Sequence, residues 1–303
     1  MQNLALFSGT SHPELAAEVA KCLQTGLGKI AIQRFPDGEI SIHLLEEVRG
    51  RNVFAFQSIA REPNDQLIEL LIMIDALKRA SAKSITAVIP YFAYCRQDRK
   101  DTLGAPITAR LVANLLESAG ATHVLTVDLH SGPVEGFFNV PIEQVFFRET
   151  LAQAFMKDHK TPVVVVPPDL GATILARDVA NRLKTEIAII SKVRHSASKV
   201  EVVAITGDVK EKDVLLADDM CSTARTLVSA AKACQERGAK RIFALATHGL
   251  LVEDAVSILE ESPIEALYIS NSVPATQSIL DCKKIRIVSL AAPLSQLIGC
   301  MLS

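Results

Sequence analysis

Two adjacent carboxylates, Asp218 and Asp219, follow the apolar run 214–217, and the string Ser222, Thr223, Ala224, Arg225 and Thr226 leads on into a helical stretch. Backbone N–H groups at a helix start bind phosphate, and paired carboxylates at a strand end can accept from sugar hydroxyls or hold a cation. An N-capped helix would use the same residue types, although a doubled acid exceeds what capping needs. Asp128 and His130 follow the run 124–127, two apart on one side of an extended chain. They can ligate a metal, orient a phosphate or simply hydrogen-bond within the fold. Pro167 and Pro168 end the run 163–166 and leave Asp169 at its tip, as a ligand or as a turn residue. After the run 85–89, Tyr91, Phe92 and Tyr94 mix with Arg96, Gln97, Arg99 and Lys100. Aromatics can pack a nucleobase and Arg can grip phosphate through two parallel hydrogen bonds; a solvated charged loop is the other reading. Residues 35–39, Phe-Pro-Asp-Gly-Glu, read locally as a turn.

Most of these places lie directly after a short apolar run. Such runs occur at 30–32, 53–57, 85–89, 124–127, 163–166, 187–190, 214–217, 242–246, 267–269 and 285–288. Most are continuously apolar, as in parallel strands covered on both faces. Between them, 66–80 sets Leu67, Leu70, Leu71, Ile74 and Leu77 on one helical stripe, and 109–118 and 226–236 behave alike. The alternation predicts an α/β doubly wound fold, whose ligands sit outside the carboxyl ends of the strands. A helix, Gly120-Ala121 and a strand reaching His130 are echoed by a helix, Gly238-Ala239 and a strand reaching His248, both pairs 118 positions apart. The echo suggests two similar halves, though this joint is common in any α/β protein. Pro141 and the polar run 157–162 place the boundary between 140 and 160, giving expected domains 1–145 and 146–303.

Composition narrows the function. The 303 residues are 49% hydrophobic and 22% charged, which argues against disorder. Lys plus Arg number 32 against 34 acidic residues, aromatics are 5% and Trp is absent, so neither a basic footprint nor stacking platforms for nucleic acid are expected. No apolar run reaches the roughly 18 residues of a membrane helix, and the N-terminus lacks a signal-peptide pattern. Six scattered cysteines without a C-x-x-C pair read as reduced thiols of a cytoplasmic protein. The P-loop, the G-x-G-x-x-G fingerprint and the G-x-S-x-G elbow are all missing, so phosphates must be held in another way.

In chain order, the stretches 34–39 (RFPDGE), 70–82, 89–100 (IPYFAYCRQDRK), 106–116, 128–131 (DLHS), 136–138, 168–169, Lys192 with Arg194, 207–209, 218–220 and 247–249 resemble the ribose-phosphate pyrophosphokinase, or phosphoribosyl pyrophosphate synthetase, family. The resemblance implies two similar doubly wound domains of the type I phosphoribosyltransferase-like fold. It implies transfer of the diphosphoryl group of ATP to the 1-hydroxyl of ribose 5-phosphate, with Mg²⁺, giving phosphoribosyl pyrophosphate and AMP. By motif, Asp37, Gly38, Glu39, Arg96 and Gln97 would contact ATP. In the family these contacts reach a neighbouring subunit, which implies a homo-oligomer, commonly a hexamer. His130 and Asp169 match the magnesium positions. Lys192 and Arg194 match catalytic mobile-loop residues, and the polar string 191–199 is expected to be a closing loop. Arg194, Asp218, Asp219 and Ser222, Thr223, Ala224, Arg225 and Thr226 match the ribose 5-phosphate site.

The chain also departs from that pattern. The family loop reads Asp-Thr-Gly-Gly-Thr, or has Ala for one Gly; here the leading acid is Ser222 and the last Gly is Arg225. A Cβ at 225 is expected to restrict backbone that glycine leaves open to positive φ. The segment 101–105 lacks the usual Arg pair and the chain stops at Ser303, so phosphate activation and ADP inhibition are expected to be altered. Two further readings stay open: a noncatalytic partner subunit of a synthetase, and a diphosphotransferase for another sugar phosphate.

Overall fold

The computed structural model describes residues 3–194 and 200–302, by backbone alone at 191–194 and 200–205. Its first half runs β1 (Leu4–Ser8), α1 (Pro13–Cys22), β2 (Ile30–Arg34), β3 (Ile40–Leu44), β4 (Asn52–Phe56), α2 (Pro63–Arg79), β5 (Ser84–Ile89), α3 (Thr108–Ala119), β6 (His123–Val127), a 3₁₀ turn (Gly132–Phe137) and β7 (Ile142–Val145). The second runs α4 (Arg148–Asp158), β8 (Val163–Val166), α5 (Thr173–Leu183), β9 (Ile189–Arg194), β10 (Val200–Thr206), β11 (Asp213–Cys221), α6 (Arg225–Glu236), β12 (Arg241–Gly249), α7 (Ala255–Glu260), β13 (Ile264–Ser270), α8 (Gln277–Asp281), β14 (Ile285–Val288) and α9 (Ala291–Met301). Two five-stranded parallel sheets result, ordered β1-β4-β5-β6-β7 and β14-β13-β12-β11-β8. The apolar runs explain them. All four residues of β8 are buried, as are Val214, Leu215, Leu216 and Ala217 of β11, because helices cover both faces.

The two halves repeat one order: strand, helix, hairpin, then four further parallel strands. β1 and β8 correspond, as do β4 and β11, β5 and β12, β6 and β13, and β7 and β14. The first rungs agree, with Asn52 between Leu4 and Ser84 in one sheet and Asp213 between Val163 and Arg241 in the other. In this alignment α3 matches α7, and α6 matches α2. The 118-residue echo therefore pairs elements that are not equivalent. Gly120 (φ +125°) and Gly238 (φ +83°) each follow a helix end, where a positive-φ glycine is a common terminator in any α/β protein.

Residues 1–146, 272–274 and 289–303 form one compact unit, and 147–271 with 275–288 form the other. The expected span 1–145 ends one residue before the observed change, but 146–303 does not stay together. Helix α9 follows β14 yet packs along α1, burying Ala291, Leu294 and Ile298, while the Ser289 hydroxyl donates to Glu18 (2.7 Å). Helix α4 follows β7 yet packs on α5, β12 and β13. The first unit thus takes its last helix, α9, from the far end of the chain, while α4 opens the second unit.

Two expected parallel strands are not in the sheets. The run 30–32 lies in the antiparallel β2–β3 hairpin. The run 187–190 touches β8 at one bridge, Val165 to Ile187, and then leaves as β9 to pair antiparallel with β10. Residues 191–194, expected in a loop, are therefore extended strand.

An ion pair holds the amino ends of the second sheet. The Asp213 side chain is 5% exposed and lies between Thr161 Oγ1 (2.7 Å) and the Arg241 guanidinium (Nε, 3.2 Å). Hydrogen bonds from Arg241 keep its carboxyl below the usual range. Arg241→Ala strands that carboxylate and is expected to cost about 3 kcal/mol in urea unfolding. A depressed folded pKa contributes stability above the unfolded value and loses it as pH falls. The wild-type advantage over Arg241→Ala should therefore shrink below about pH 4.

Candidate functional site

In the second unit, β11 runs past its buried segment and presents Asp218 and Asp219 half-buried at its carboxyl end. Burial first, then the charge and hydrogen bond of Asp219 and the charge of Asp169, push the Asp218 carboxyl up to about 8. Its Oδ1 accepts the Asp219 N–H (2.9 Å). Asp169 stands at the end of neighbouring β8, where its Oδ1 accepts the N–H groups of Gly171 (2.9 Å) and Ala172 (3.2 Å) at the start of α5. Three carboxylates thus share one end of adjacent strands, an arrangement that favours a cation or hydroxyl donors.

The loop from β11 into α6 is braced from below. Leu251 N–H donates to the Cys221 carbonyl (3.1 Å) and Val252 N–H to the Ser222 carbonyl (3.0 Å). Burial pushes the Cys221 thiol up to about 12, so it stays protonated and unreactive. Ser222 and Thr223 are half-exposed, and α6 begins at Arg225, with its first N–H groups unused by the helix itself. The left-handed residue is Ala224 (φ +60°, ψ −10°), one place earlier than the departure at Arg225. Arg225 has helical backbone, so the restriction expected from its Cβ does not arise. Its exposed guanidinium pairs instead with Asp254 (3.2 Å) and Glu253 (3.7 Å). Because Ala in this conformation costs roughly 1 kcal/mol, Ala224→Gly is expected to raise the thermal midpoint by about 2 °C.

The remaining expected residues lie in the first unit or on the β9–β10 hairpin. Asp37, Gly38 and Glu39 form the exposed tip of the β2–β3 hairpin. Gly38 (φ +95°) gives its N–H to the Phe35 carbonyl (2.9 Å), and Glu39 gives its own to Asp37 Oδ1 (3.2 Å). Arg96 and Gln97 are exposed between β5 and α3, where the Gln97 carbonyl accepts Ala109 N–H (3.2 Å). Helix α2 ties both places down: Asp65 pairs with Arg34 (2.9 Å) and Asn64 accepts from the Tyr94 hydroxyl. Tyr91 and Phe92 are only 6% and 3% exposed, so they belong to the core and offer no face to a base. An open aromatic near this tip is Phe35, 53% exposed, which the sequence presented only as part of a turn. His130 is exposed beyond β6, while Asp128 is buried with φ +31°. That kink breaks the extended alternation expected to put the two on one side. Lys192 and Arg194 are backbone partners of Val202 and Val200 in the β9–β10 hairpin; their side chains lie outside the described residues.

A duplicated, doubly wound α/β chain with an acid pair at a strand end and a helix-start anion loop beside it is a two-domain protein of the phosphoribosyltransferase-like class. Residues 4–120 match the family model for the N-terminal domain of ribose phosphate pyrophosphokinase, and 193–301 match that for the phosphoribosyl synthetase-associated domain. The chain is 45% identical over 295 residues to a ribose-phosphate pyrophosphokinase of Chromobacterium violaceum, covering 97% of this chain and 90% of that one. It is 48% identical over 275 residues to one of Clostridium perfringens, covering 90% and 86%. The crystal structure of phosphoribosylpyrophosphate synthetase from Mycobacterium smegmatis superposes with a TM-score of 0.93 at 37% identity over 99% of both chains. The chain belongs to the ribose-phosphate pyrophosphokinase family.

Proposed function

We propose that the protein transfers the diphosphoryl group of ATP to the 1-hydroxyl of ribose 5-phosphate, giving phosphoribosyl pyrophosphate and AMP. The observation that carries this reading is the joint of β11 and α6: an acid pair for ribose hydroxyls, followed at once by a braced loop and helix start for the 5-phosphate. Asp218 and Asp219 orient the sugar as acceptors. The loop of Ser222, Thr223, Ala224, Arg225 and Thr226 fixes the phosphate through backbone N–H groups and hydroxyls. The 1-hydroxyl oxygen attacks the β-phosphorus, the bond from that phosphorus to the α,β-bridging oxygen breaks, AMP leaves, and the hydroxyl proton passes to solvent. Lys192 and Arg194 meet the charge that spreads over the group in transit, and Arg194 also reaches the sugar phosphate.

ATP is held by Asp37, Gly38, Glu39, Arg96 and Gln97, with Phe35 as the apolar face for the base. Such an exposed hairpin tip suits a site shared with a neighbouring copy, so the protein works as a homo-oligomer, a hexamer by family likeness. The residues fit Mg²⁺. Among the described residues no group of three or more His, Cys, Asp or Glu forms a ready metal cage. Mg²⁺ commonly takes only one or two carboxylates and completes its shell with water and phosphate. The mutual repulsion of Asp169, Asp218 and Asp219 favours a cation there. By family likeness Asp169 and His130 are each proposed as a ligand of the ion, which would neutralise phosphate charge. The scattered thiols and the absence, among the described residues, of a helix long and apolar enough to cross a membrane are consistent with a cytoplasmic enzyme that acts on small molecules.

The test is AMP release from ATP and Mg²⁺ with and without ribose 5-phosphate. Sugar-dependent AMP is expected. Ribose 5-phosphate binding without AMP would favour the noncatalytic partner subunit, and AMP release only with another sugar phosphate would favour altered specificity.

A further inference from the structure

The duplication gives the first unit its own counterpart of the acidic strand end. Aligned on the first rungs of the sheets, Gln57 and Ser58 stand where Asp218 and Asp219 stand, and Thr10 where Asp169 stands. All three acids are replaced by neutral side chains. The charge comes from elsewhere. Glu69, on the second turn of α2, is 3% exposed and sends its carboxylate into the space between the two strand ends. Its Oε1 accepts from Thr10 N–H (2.7 Å) and Gln57 Nε2 (2.8 Å), and its Oε2 from the Thr10 hydroxyl (2.8 Å). Gln57 turns its own oxygen to Ser11 N–H (3.1 Å), and Ser11 Oγ accepts Ser58 N–H (2.8 Å).

We propose that the first unit keeps this strand-end architecture as an internal carboxylate site, in which Glu69 is the resident anion. Its donors, a backbone N–H, a hydroxyl and an amide, are those that would receive a small free carboxylate. The space is fully taken: a Cβ on Gly9 would lie 2.7 Å from Glu69 Oε1. Thr10 at the mouth is exposed, so a small anion can enter once Glu69 is shortened.

The test is chemical rescue of Glu69→Ala by formate and acetate, followed by thermal unfolding, a readout that does not depend on the proposed reaction. The variant should melt at least about 5 °C below wild type. Formate on the order of 100 mM should recover part of that loss in the variant, without shifting wild type. Chloride at the same ionic strength should do nothing. If the variant folds only with formate present, the proposal is supported. An unchanged midpoint, a formate shift equal in both proteins, or a variant that formate neither folds nor stabilises overturns it. A second arm uses the unmodified protein: calorimetric titration should find one ribose 5-phosphate per chain, and two per chain would contradict a self-occupied site.

Discussion

Lys192→Ala is expected to lower kcat by about 10³-fold while leaving the KM for ribose 5-phosphate within a few-fold of wild type. Diphosphoryl transfer leaves the protein little covalent work; the barrier is lowered by positioning and by cations aimed at charge that appears only in transit. A contact made only in the transition state appears in kcat, whereas one shared with the bound substrate appears in KM. Lys192 lies on β9 in the β9–β10 hairpin, which leaves the sheet edge after a single bridge to β8. Steady-state kinetics with each substrate varied separately would check it. A rise in KM alone would make Lys192 a binding residue only.

Replacing Asp218 and Asp219 together by Asn should reduce kcat/KM for ribose 5-phosphate by about 10²–10³-fold, mostly through KM. Each carboxylate that accepts from a ribose hydroxyl forms a charge-assisted bond worth about 1.5–3 kcal/mol, and Asn keeps the shape but loses the charge. The fold should not suffer. Asp218 is held at about 8 by burial and by the acids around it, so removing the charge relieves repulsion. A group whose folded pKa is raised contributes stability below its unfolded value and loses it as pH rises through the folded one. The double variant should therefore match or exceed wild-type thermal stability at pH 8 without substrates. A destabilised variant would mean that the pair braces the fold instead of waiting for a ligand.

Most parallel strands were legible because burial on both faces demands continuous apolar runs, and β4, β8, β11, β12 and β13 all carry one. The chemistry placed directly after them followed from the same rule. Strands with ordinary or polar composition were hidden, and the apolar β1, Leu-Ala-Leu-Phe-Ser, was missed as well. β7 is Ile-Glu-Gln-Val at a sheet edge, and β3 carries Ser41 and His43 in an exposed hairpin. The partners of α4 and α9 were hidden for a different reason. An apolar stripe states that a helix must be covered but not by which half of the chain. The duplication was visible, but its alignment was misplaced by the recurring Gly-Ala joint; only strand pairing fixes which elements match. In the site, residue types were readable and backbone conformation was not. Nothing in Ser-Thr-Ala-Arg-Thr says that Ala224 takes the left-handed turn and Arg225 opens the helix. Nothing in the 91–100 string says that Tyr91 and Phe92 face inward.

The most direct test of the central claim is ³¹P NMR of the products formed from ATP, Mg²⁺ and ribose 5-phosphate. The account predicts AMP and a sugar bearing a coupled diphosphate on its anomeric carbon, in equal amounts. ADP with a singly phosphorylated anomeric carbon, or AMP with free pyrophosphate and unchanged sugar, would contradict it.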